Sequence, residues 1–130
     1  MSGEKESPLK TKSFHFAIRI TRLYKYIIEH KKEYVLSKQL LRSGTAIGAL
    51  IREAQNAESK QDFIHKMGIA QKECDETIYW LELLKETDFI NREEFGSISN
   101  DAIELLKMIR SSIITAKKTF AHNLSLITYN

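Results

Sequence analysis

Residues 40–54 read LLRSGTAIGALIREA, and the fold turns on this stretch. Leu40, Leu41, Ile47, Leu50, Ile51 and Ala54 recur at the spacing of one helix face. Gly44 and Gly48 interrupt the run, and each should cost a helix about 1 kcal/mol relative to alanine. A helix still fits the stretch best, provided that something offsets the glycines. Ser43, Gly44, Gly48 and Ala49 then form a strip of small residues, where a neighbouring helix can approach closely. That neighbour belongs either to the same chain or to another subunit.

Working outward, the same periodicity appears three more times. Phe16, Ile20, Leu23 and Ile27 mark an amphipathic helix over 12–31, with Ser13 as its candidate N-cap. A polar turn around His30–Glu33 leads into the glycine-bearing helix, over 34–57. Phe63, Met67, Ala70, Cys74, Ile78, Leu81 and Leu84 mark a third over 59–87. Ser59 with Asp62 there resembles a capping box. Phe95, Ile98, Ala102, Leu105, Ile109, Ile113, Ala116 and Phe120 mark a fourth over 91–120, opened by Asn91 and Glu94. No segment alternates with period two, and no Asn-Gly or Asp-Gly turn separates two β-rich runs. Four long helices with short connections predict an all-α fold, an antiparallel up-down-up-down four-helix bundle. One bundle domain is expected over 12–120, between a disordered tail at 1–11 and a C-terminal tail at 121–130.

The chemistry available to such a chain is restricted. The 130 residues contain no apolar run near the ~20 needed to cross a membrane, and the polar start MSGEKESPLKTK has no signal-peptide core. A cytoplasmic protein without a membrane role is the expectation. The single cysteine, Cys74, excludes an intrachain disulfide and a Cys-based zinc site, and its place in an apolar stripe reads as core. Asp62-x-x-His65 occurs once, whereas a di-iron bundle needs two Glu-x-x-His motifs and two further glutamates. No metal and no cofactor are expected. His15, His30, His65 and His122 each lack the arginine four to six residues upstream that one helical RNase class carries. Neither a phosphate-cradling glycine loop nor a G-x-S-x-G turn is present, so the chain reads as a non-enzyme.

Charge is distributed unevenly although the formal net charge is only +3. Residues 1–32 hold eight Lys/Arg against three Asp/Glu, whereas residues 58–88 hold four against eight. Lys12, Arg19, Arg22 and Lys25 on the first helix, with Lys38, Arg42 and Arg52 on the second, are the candidate nucleic-acid contacts. Tyr24, Tyr26 and Tyr34 lie close by. Cations neutralise phosphates and aromatic rings stack on unpaired bases. The plainer alternative is the solvated face of an amphipathic helix. Arg42 or Lys66 could instead pair with third-helix carboxylates and set helix register. Tyr79 and Trp80 read as core or interface.

The stretches KSFHFAIRITRLYKYI and EYVLSKQLLRSGTAIGALIREAQNAESKQDFIHKMGIAQKECDETIYWLELL together resemble the small bacterial proteins encoded by intervening sequences of 23S rRNA genes. That family in turn is similar to the accessory variability proteins of diversity-generating retroelements. The resemblance covers about residues 12–118. Arg42, Ser43, Gly44, Ile47, Gly48, Glu53 and Ala54 match its second-helix signature. Phe63, Lys66, Ala70, Lys72, Glu73, Trp80 and Leu81 match the third-helix signature. Leu50 stands where the family usually has Asn, and Ala46 where Ser is common. The resemblance implies a bundle that assembles into a homo-oligomeric ring, typically a pentamer, with no established enzymatic activity. The retroelement relatives imply RNA or DNA, and a reverse transcriptase, as partners. An association with RNA is therefore the leading expectation, and a protein–protein scaffold without nucleic acid is the alternative.

Overall fold

The computed structural model describes residues 7–129, with side-chain surroundings through residue 127. It holds four α-helices and, among the described residues, no strand. They are α1 (Pro8–Tyr26), α2 (Leu36–Gln55), α3 (Lys60–Glu86) and α4 (Arg92–Tyr129). α1 packs on α2, α2 on α3, α3 on α4, and α4 returns to α1. One core fills the middle, with Phe16, Ile20, Leu40, Ile47, Met67, Leu81, Leu105 and Ile109 withdrawn from solvent. Each such side chain contributes about 1.5–3 kcal/mol by burial.

Local chemistry sets the helix ends. The first helix starts earlier than expected. Ser7, not Ser13, is its N-cap, and the Lys10 N–H donates to Ser7 Oγ at 3.4 Å. Pro8 occupies the first turn, where its missing N–H costs nothing. Residues 8–11 of the expected tail are thus helical, and residues 1–6 lie outside the described residues. Ser13 is buried inside α1, where its hydroxyl donates to Lys10 O. The last turn, Ile27–Lys31, widens into a π-helix, and the chain breaks at Lys32 with φ 54°.

Glu33 then caps α2. Its Oε1 accepts from the N–H groups of Val35 and Leu36, and its Oε2 from that of Ser37 at 2.8 Å. A carboxylate here satisfies orphan donors and opposes the positive end of the helix dipole. Ser59 Oγ accepts from the Asp62 N–H at 3.0 Å, while Asp62 Oδ2 reaches back to the Glu58 N–H. The expected cap is present, shifted by one residue on its return bond. Asn91 Oδ1 accepts from the Glu94 N–H at 2.7 Å, as its spacing predicts. The segment 121–130, expected as tail, continues α4 through Tyr129. At 38 residues α4 is about 57 Å long, against about 40 Å for the 27 residues of α3. Residues 117–127 accordingly leave the core, with Leu124, Leu126 and Ile127 exposed.

Ser43 and Gly44 are buried, Gly48 is half-buried and Ala49 is exposed. A Cβ on Gly44 would lie 2.8 Å from Ile20 Cγ2, and one on Gly48 would lie 3.4 Å from Ser13 O. Both glycines therefore admit α1 of the same chain, which assigns the close approach left open between chain and subunit. No helix of the described residues is long and apolar enough to cross a membrane.

Candidate nucleic-acid interface

The seven candidate cations divide according to what they touch. Lys12 Nζ bonds Glu104 Oε2 at 2.7 Å, and that hydrogen bond holds the lysine's pKa above its ordinary value. Arg19 reaches Asp101 Oδ2 at 2.7 Å and Ser97 Oγ at 3.0 Å. Both residues tie α1 to α4. Arg42 joins α2 to α3, donating to Glu76 Oε1 at 2.6 Å and to Glu73 Oε2 at 3.1 Å. These two carboxylates, Glu76 first, raise the guanidinium's pKa. The Arg42 bond lowers the Glu76 pKa in turn, helped by the Trp80 Nε1–H donating at 3.2 Å. The expected register pairing thus holds for Arg42. Lys66 instead pairs with Glu53 of α2, at 2.8 Å.

Arg22, Lys25 and Lys38 are exposed and enter no ion pair among the described residues. Arg52 is also exposed, and its guanidinium lies over the Phe14 ring, 5.3 Å from the centroid. Lys12 and Arg19 therefore do not join Arg22 as a free basic face. Lys25 shares a face of α1 with Phe14, Ala17, Thr21 and Lys10, all near one line at helical spacing. Lys38, Thr45 and Arg52 do the same on α2, seven residues apart. Lys10 was missed by sequence reasoning because the helix was expected to begin at residue 12. Its spacing of four from Phe14 was the available signal.

Phe14 and Arg52 stand over a groove between α1 and α2 of about 410 Å³, with Lys10, Thr45, Gly48 and Ala49 also lining it. Among the described residues, no carboxylate lines this groove. The groove beside Arg22 and Tyr26 contains Glu94, and the one beside Lys12 and His15 contains Asp101. Of the tyrosines, Tyr26 packs on His30 with centroids 4.9 Å apart, Tyr24 is half-buried and Tyr34 is exposed.

The remaining signature residues build the fold. Ile47, Ala54, Ala70 and Leu81 are buried, and Phe63, Trp80 and Leu50 pack partly buried against the core. Leu50 thus makes apolar contact with the core. Lys72 is exposed. Thr77 Oγ1 donates to Glu73 O at 2.7 Å and lies 3.0 Å from Ser43 Oγ, so the buried hydroxyls on the α2–α3 contact are satisfied. Cys74 is fully buried, and its thiol donates to Ala102 O. Burial pushes that thiol up to about 12, far from the thiolate needed of a nucleophile. No group of three or more His, Cys, Asp or Glu side chains suited to a metal ion occurs among the described residues.

What the fold presents, then, is an all-α protein whose chemistry-bearing residues form surfaces and inter-helix ties. Residues 5–111 match the family described as 23S rRNA-intervening sequence protein, and the chain belongs to that family. A solved structure from Bacteroides thetaiotaomicron, described as a protein of unknown function from the S23 ribosomal protein family, is 55% identical. The similarity covers 81% of this chain and 97% of that one, with a TM-score of 0.80. No curated protein matches the chain. α4 runs on for 18 residues, 112–129, past the family match.

Proposed function

We propose that this protein is a non-enzymatic, cytoplasmic, homo-oligomeric bundle that associates with nucleic acid, RNA foremost, through α1 and α2. The observation that carries this is the division of the cations. Lys12, Arg19 and Arg42 are neutralised by carboxylates of α3 and α4, whereas Lys25, Lys38 and Arg52, and Arg22 on the side of α1 nearer α4, are exposed and enter no ion pair among the described residues. Free cations on exposed helix faces bind phosphates with little sequence preference. An up-down-up-down, antiparallel course is supported by the register of α1 on α2, where Ser13 meets Gly48 and the later Ile20 meets the earlier Gly44. The resemblance to ring-forming relatives supports a pentamer, which would multiply a weak site by avidity. The similarity to retroelement accessory proteins supports a nucleic-acid enzyme such as a reverse transcriptase as a further partner.

The test is fluorescence anisotropy of labelled RNA and DNA over a salt series, on protein freed of nucleic acid and with its mass measured in the same sample. Three phosphate contacts per protomer give a slope of about −2 in log K against log salt on a single strand. Lys25→Glu with Lys38→Glu should weaken binding and flatten that slope without changing the mass. An intact oligomer with no salt-sensitive binding would refute the proposal. The scaffold alternative is favoured by one observation, the apolar Leu124, Leu126 and Ile127 exposed on the far end of α4. A defined protein partner that survives nuclease treatment, together with no binding of RNA or DNA, would establish it.

A further inference from the structure

We infer that the α1/α2 groove at Phe14 receives an unpaired base, so that the nucleic acid bound is single-stranded at this point. The inference rests on the nucleic-acid reading above and adds where a base goes. Phe14 is 50% exposed even with Arg52 over its ring. A ring and a guanidinium are both planar surfaces on which a base stacks, and neither asks for a particular base. The α2 side of the groove they line is formed by Thr45 with Gly48, which has no side chain, and Ala49, which has a minimal one. The groove's volume of about 410 Å³ falls within the range of small-ligand sites, about 300–1,000 Å³.

Charge selects the class of occupant. Lys10 and Arg52 flank the groove, and neither forms an ion pair among the described residues. Lys25 and Lys38 extend the positive surface along α1 and α2. An apolar slot between cations that enter no ion pair among the described residues suits a base carried on a phosphodiester chain. It does not suit a second copy of this face, since a two-fold contact would bring Lys10 and Arg52 of each copy toward those of the other. Duplex bases are already stacked and offer no face to Phe14, so a duplex meets only the cations.

The experiment compares a labelled uridine oligonucleotide with an RNA duplex of equal length, at one salt concentration and across a salt series. Phe14→Ala is expected to weaken single-strand binding about 5- to 140-fold, the range of one lost aromatic–base stack. Duplex binding, the salt slope and the oligomer mass are expected to stay unchanged. In a Trp80→Phe background, Phe14→Trp is expected to keep single-strand affinity and to show emission quenched by the oligonucleotide. Salt-sensitive binding that Phe14→Ala leaves intact, or weakens equally for both RNAs, would overturn the groove while leaving the nucleic-acid reading in place. A fall in oligomer mass for Phe14→Ala would overturn it in favour of a second copy in the groove. Absence of binding by the unaltered protein would overturn both.

Discussion

Gly44→Ala and Gly48→Ala are the same chemical change four residues apart, and the structure predicts opposite outcomes. In an isolated helix each would gain about 1 kcal/mol from propensity. At Gly44 the new methyl would stand 2.8 Å from Ile20 Cγ2, 2.9 Å from Cγ1 and 3.2 Å from Cβ. Those atoms sit at the root of a β-branched side chain that is fully buried, so rotation cannot clear them. Relief requires α1 to move away from α2. Overpacking of this kind costs about 1–3 kcal/mol, and three simultaneous contacts place it in the upper part of that range. After the propensity gain, Gly44→Ala should destabilise by about 1–2 kcal/mol. At Gly48 the nearest atom is Ser13 O at 3.4 Å, an ordinary contact, so Gly48→Ala should be neutral or stabilising by up to about 1 kcal/mol. Urea unfolding at fixed protein concentration reads the difference as a change in midpoint with an unchanged m-value. A double-mutant cycle with Ile20→Ala should show that removing the isoleucine makes Gly44→Ala less harmful, with a coupling of about 1 kcal/mol or more. A Gly44→Ala protein as stable as the original, or a cycle with no coupling, would refute close packing against α1 as the reason for this glycine.

Glu33→Ala should cost about 0.5–2 kcal/mol, because the first turn of α2 loses its acceptor. Burial pushes the Glu33 carboxyl up, but the N–H groups of Leu36, Ser37 and Val35 outweigh it and hold the pKa below the ordinary 4.5. A depressed folded pKa stabilises above the unfolded value and is lost as pH falls through the folded one. The gap between Glu33→Ala and the original should therefore be full at neutral pH and close on acidification below 4.5, as read by thermal melts in a pH series. Cys74, held as a thiol by burial with a pKa pushed up to about 12, should not react with a thiol reagent in native protein at mildly alkaline pH. It should react once in denaturant, and prompt native labelling would contradict the buried position. Arg42→Ala should cost less than about 1 kcal/mol, since the guanidinium side chain is half exposed, and high salt should shrink that cost further.

Much of the helical layout was legible because helix periodicity is local. Phe16, Ile20, Leu23 and Ile27 announce their helix by spacing alone, and the Asn91 cap by its distance from Glu94. The ends were less legible. The tail boundary at residue 11 missed the Ser7–Pro8 start, since a capping serine and a first-turn proline resemble the vocabulary of a loop. The Glu33 cap went unread because its carboxylate reaches three consecutive backbone N–H groups, at Val35, Leu36 and Ser37, from outside the helix. The C-terminal extension of α4 was missed because residues 121–127 have no core to bury a stripe against, so the apolar spacing loses its regularity there.

The candidate surface was legible only as a set of cations. From sequence, Arg19 and Arg22 are equivalent. In the structure Arg19 is held by Asp101, 82 residues away, and Arg22 is not. Arg42 is likewise held by Glu73 and Glu76, 31 and 34 residues on. By itself the sequence determined the four α-helices of the described residues and which face of each turns inward, because both follow from a 3.6-residue period within one segment. Only the tertiary structure decided that Gly44 admits Ile20, that Phe14 meets Arg52, and which cations remain free. Each of those depends on a contact between helices, and the period of one helix says which side is covered but not by what.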